Sequence, residues 1–85
     1  MNIYRKNTLN QLKGTFEELL EECKDELTPQ EIFNMAKEYE IGLWKEQMEG
    51  YKINSNNLEF NIKDSIKMCK MMIKELSKIK ITDIS

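Results

Sequence analysis

The sequence predicts an all-α fold: a compact three-helix bundle, standing alone or as a dimer. Two observations carry that reading. Three stretches, at about 8–27, 29–50 and 57–80, repeat apolar side chains at spacings of three and four, the period of a helix with one buried face. Between them lie a sharp boundary at Thr28-Pro29 and a turn-rich run, Lys52-Ile53-Asn54-Ser55-Asn56-Asn57. Amphipathic helices of similar length on short connections bury their stripes most economically against one another. Eighty-five residues make one domain, 1–85 without a linker, large enough for a single core and with little stability in reserve.

The first helix is expected to start at Thr8-Leu9-Asn10-Gln11, which has the form of a capping box. Leu9, Leu12, Phe16, Leu19, Leu20, Cys23 and Leu27 then fall within an arc of about 100°, with Glu17, Glu18, Glu21, Glu22, Asp25 and Glu26 on the other side. Thr28-Pro29-Gln30-Glu31 opens the second helix. Proline suits the first turn, threonine caps it, Glu31 closes a second capping box, and Leu27 with Ile32 is placed for a hydrophobic staple. The residue before proline avoids helical dihedrals, so the first helix has to stop by about Leu27.

The second helix carries apolar residues in two groups: Ile32, Met35, Ala36, Tyr39 and Leu43 on one side, and Phe33, Ile41, Trp44, Met48 and Tyr51 on another. So wide an apolar arc needs two neighbours, or one neighbour and a partner, unless a kink at Gly42 turns both groups inward. In the third helix Leu58, Ile62, Ile66, Cys69, Met72, Ile73, Leu76 and Ile79 share a face, with Asn56 and Glu59 as the expected cap. The competing reading pairs 51–53 with 58–60 as a short hairpin around 54–57. Residues 81–85 are expected to fray.

Charge is divided along the chain. Residues 17–49 hold eleven carboxylates against Lys24, Lys37 and Lys45, whereas Lys63, Lys67, Lys70, Lys74 and Lys78 form a basic ribbon along one side of the third helix. The simplest reading is that the two halves attract each other. A net charge of -2 argues against generic nucleic-acid binding, which depends on a basic excess to release counterions. No secretory h-region follows the basic residues near the start, and no stretch is long and apolar enough to span a bilayer, so a cytoplasmic location is expected. Cys23 and Cys69 sit in apolar stripes and are read as reduced core thiols. Ten isoleucines, twelve lysines and eight asparagines beside one alanine point to an AT-rich genome, a bacterium or one of its phages or plasmids.

Chemistry-bearing constellations are weak. The run Glu17, Glu18, Glu21, Glu22, Asp25 has ligand-like spacing, yet the chain has no histidine to complete a carboxylate metal site in a bundle. Neither cysteine has a histidine to activate it. No enzyme, metal or cofactor is expected. The expected function is that of a small protein-interaction module, a regulator or inhibitor binding a protein partner through an apolar patch rimmed by charge. Trp44, Met48, Tyr51, Met68 and Met71 are the expected contact residues, because aromatics anchor interfaces and methionine adapts to irregular surfaces. Three alternatives stand beside it. The lysine ribbon faces nucleic acid, although a single arginine and few interleaved aromatics speak against base readout; the acidic face mimics DNA to block a basic groove; or the chain is a structural homodimer closing on its second helix.

Overall fold

The computed structural model describes residues 3–53 and 59–84, with the side chains of 59–61 left aside. It shows three helices packed on one another: α1 Ile3–Cys23, α2 Pro29–Ile53 and α3 Glu59–Lys78, followed by a single 3-10 turn, Ile81–Asp83. Among the described residues there is no strand. The all-α three-helix reading therefore holds, and the hairpin alternative does not, since Tyr51, Lys52 and Ile53 form the last turn of α2. The expected loop at 54–57 and its Asn56 cap lie outside the described residues.

The boundary between α1 and α2 follows the local chemistry of the sequence. The Thr28 amide donates to Glu31 Oε1 at 3.0 Å, and the Glu31 amide donates back to Thr28 Oγ1 at 3.2 Å, closing the capping box. These donors hold the Glu31 carboxyl below the usual carboxylate range, the Thr28 amide contributing most. At the end of α1 the amides of Glu26 and Leu27 both donate to the Cys23 carbonyl at 3.0 Å, so the helix stops four residues before the expected Leu27.

The start of α1 corrects the sequence reading. Thr8 is not a cap: it lies inside the helix, is 0% exposed, and its hydroxyl donates to the Tyr4 and Arg5 carbonyls at 2.8 and 3.1 Å. A threonine that bonds back to the preceding turn loses nothing by being buried, which lets the helix run on to Ile3. The frayed tail is also corrected. Asp83 accepts the Lys80 amide at 2.8 Å and pairs with Arg5 at 3.4 Å, while Ile84 is buried in the core. The C-terminal turn is thereby fastened to the first turns of α1.

The core is built from Leu12 and Phe16 of α1, Ile32, Phe33 and Ala36 of α2, Leu76 of α3, and Ile79 and Ile84 beyond it. Phe16 meets Phe33 edge to face, with ring centroids 6.1 Å apart. Lys37 crosses from α2 to the end of α3, donating to the Ser77 and Ile79 carbonyls at 3.0 and 2.9 Å, where a cation suits both the orphan acceptors and the helix dipole. The core occupies one end of the molecule. In α2 the buried residues are Ile32, Phe33, Ala36 and Glu40, whereas none of the described residues 41–53 and 62–68 is fully buried. The chain is accordingly elongated, 48 Å by 27 Å by 15 Å.

Candidate protein-interaction surface

The two apolar groups of α2 meet different fates. Ile32, Ala36 and Glu40 are buried, Glu40 bonded to Thr15 of α1, whereas Met35, Tyr39 and Leu43 face solvent. These three residues, spaced i, i+4, i+8, form a continuous ridge with exposures of 41%, 58% and 44%. Gly42 does not turn them inward: α2 is uninterrupted from Pro29 to Ile53. On the α1 side Met35 and Tyr39 border a groove of about 240 Å³ whose other wall is Thr15, Glu18 and Leu19. The ridge is rimmed by carboxylates. Glu31 and Glu46 continue it at either end, Glu38 flanks it, and Glu18 stands across the groove, all four exposed.

Glu40 lies at the inner margin of this surface, 5% exposed, with a side-chain hydrogen bond from Thr15. Burial raises its pKa above the ordinary 4.5 and the Thr15 bond offsets only part of that effect. A carboxyl whose folded-state pKa is raised binds more protons folded than unfolded, so stability falls as pH rises from about 4.5 through the folded pKa. Glu40→Gln is therefore expected to raise the urea midpoint at neutral pH, with the gain over the native chain shrinking as pH is lowered through the folded pKa and gone below about 4.5. A variant less stable than the native chain at neutral pH would show that the carboxylate itself is needed.

The residues expected at the interface are placed differently. Trp44, Met48, Tyr51, Met68 and Met71 are all half-buried, and Trp44 packs against the core. Met35, Tyr39 and Leu43 are the more exposed apolar surface, and the sequence carried a signal for them: a helical row of three apolar residues with glutamates before, beside and after it. Glu17, Glu18, Glu21, Glu22 and Asp25 are exposed, as are Lys63, Lys67, Lys70, Lys74 and Lys78. Among the described residues no ion pair joins that lysine ribbon to α1 or α2, the pairs being Arg5 with Asp83, Lys52 with Glu49 and Lys78 with Glu75. Among the described residues, direct pairing thus does not neutralise the lysine ribbon against the acidic helices.

Chemical potential elsewhere is limited. No group of three or more His, Cys, Asp or Glu residues that could hold a metal ion occurs among the described residues, and none of their helices is long and apolar enough to cross a membrane. A second groove, about 350 Å³, lies beside Phe33, Lys37, Lys80 and Ile81, and there the Lys37 ammonium is already committed to the Ser77 and Ile79 carbonyls. Both cysteines are free. Cys69 is 0% exposed and burial pushes its thiol pKa up, whereas Cys23, expected in the core, is half-buried at the end of α1. A thiol reagent in native buffer is expected to label Cys23 and spare Cys69 until the chain is denatured. Rapid native labelling of Cys69 would place α3 wrongly against its neighbours.

The chain matches no protein-family model, no curated protein and no solved structure.

Proposed function

We propose that the protein is a small interaction module, a regulator or inhibitor that binds a protein partner through the Met35–Tyr39–Leu43 ridge and its acidic rim. The observation that carries this reading is the exposure of three large apolar side chains in one row. Exposed apolar residues scattered singly are ordinary, whereas a contiguous row bordered by charge is the anatomy of an interface: an apolar centre excludes water and a polar rim sets orientation and partner choice. The rim is negative, so the fitting partner presents basic groups around an apolar anchor. A pure DNA mimic would need the carboxylates alone and gives no role to Tyr39, the most exposed residue of the ridge. Two free cysteines suit a reducing compartment such as the cytoplasm.

The test is a titration of the partner, captured from the source cells and then purified, against the native chain and Tyr39→Ala. Loss of an aromatic anchor is expected to weaken affinity by about tenfold or more while leaving helicity intact. Equal affinity for the two chains would remove the ridge from the binding surface.

A further inference from the structure

The ridge asks for a basic, elongated, partly apolar occupant, and one such element is present in the chain itself. Lys63, Lys67, Lys70, Lys74 and Lys78 are all exposed on α3, and among the described residues only Lys78 is ion-paired, with Glu75 at 3.9 Å. The acidic edge of α2 runs from Glu31 to Glu46 and the ribbon from Lys63 to Lys78; each covers the same number of helical positions, about 22 Å of axis. Lysine stems are apolar for most of their length, so they are able to cover apolar side chains such as Met35, Tyr39 and Leu43 while their ammonium groups reach carboxylates beyond. Helix α2 exposes four carboxylates, Glu31, Glu38, Glu46 and Glu49, beside Lys45 and Lys52, and α3 exposes the five lysines of the ribbon. The match is between copies, since among the described residues no ion pair joins the ribbon to α2 of the same chain.

We infer that the occupant of the ridge, when no other protein holds it, is a second copy of this chain, whose α3 lysine ribbon lies along the acidic rim of α2. This rests on the ridge being a binding surface and adds the identity of its occupant. Contacts of this kind join two different surfaces, so they build a closed oligomer or an open string according to the rotation between copies. They hold the ridge and the ribbon out of reach of other molecules until a tighter-binding partner competes.

Sedimentation equilibrium of the full chain, across protein concentration and at low and high salt, tests this. The expected result is an average mass that rises above that of the monomer with concentration and falls back on adding salt, because the contact is charge-rimmed and exposed. Lys67→Glu with Lys70→Glu should weaken self-association by about tenfold or more, and so should Glu38→Lys with Glu46→Lys. All four together exchange the two charges and should restore it. These four side chains are exposed and outside the core, and circular dichroism of each variant confirms the fold independently. A monomer at every concentration overturns the inference, as does self-association indifferent to the charge exchange, or a ribbon that binds duplex DNA while the chain stays monomeric. Tyr39→Ala measured against another protein remains a separate readout, so self-association can fail while the ridge keeps its partner.

Discussion

Leu12→Ala is expected to cost about 3 to 5 kcal/mol, the upper part of the range for removing a leucine from a tightly packed site. Leu12 is 0% exposed and belongs to the cluster in which α1 meets Phe33, Ala36 and Leu76. The buried set is small and confined to one end of the molecule, so little apolar material stands ready to collapse into the space. Against a total stability of about 5 to 15 kcal/mol for a typical domain, one such cavity is a large fraction of what holds the fold together. Urea unfolding followed by far-UV circular dichroism measures it. A loss below about 1 kcal/mol would mean that α1 is not seated on α2 and α3 as described.

Trp44→Ala separates the margin of the core from the binding ridge. Trp44 is half-buried and packs against the core cluster, so its truncation is expected to cost about 2 kcal/mol of folding stability, roughly half of what a fully buried tryptophan loses. Affinity for a partner, measured on the folded fraction, should be little changed. The opposite pattern, with stability kept and affinity lost, would return the interface to the Trp44, Met48 and Tyr51 side of α2. The contrast with Tyr39, 58% exposed on the same helix, is what makes the pair of variants informative.

What the sequence shows most directly is what local chemistry decides. Thr28-Pro29-Gln30-Glu31 specifies a helix start through groups three residues apart, and the bonds between Thr28 and Glu31 form as their spacing requires. The same logic misleads at Thr8, because a threonine hydroxyl serves equally as a cap or as a donor to the preceding turn, and only burial distinguishes the two. The tail is misread for a related reason: Asp83 gains its order from Arg5 at the other end of the sequence, and Ile81 and Ile84 from a core assembled from all three helices. Periodicity marks α2 as apolar over a wide arc but leaves open which part of that arc is covered. That depends on where α1 lies across it, and burying Glu40 beside Ala36 turns Met35, Tyr39 and Leu43 outward. The ridge residues are therefore legible as a row and illegible as a surface until the packing is known.

The central claim is that this row is surface kept apolar for binding and not a loosely packed part of the core. Urea unfolding of the triple variant Met35→Gln, Tyr39→Gln, Leu43→Gln, followed by titration of the same protein with its partner, tests it most directly. Glutamine is a good helix former, so the exchange removes apolar surface without breaking α2. The expected result is an unfolding free energy within about 0.5 kcal/mol per site of the native chain's, as for ordinary surface substitutions, together with loss of measurable binding. A fall of several kcal/mol in stability, or binding that survives the exchange, would contradict it.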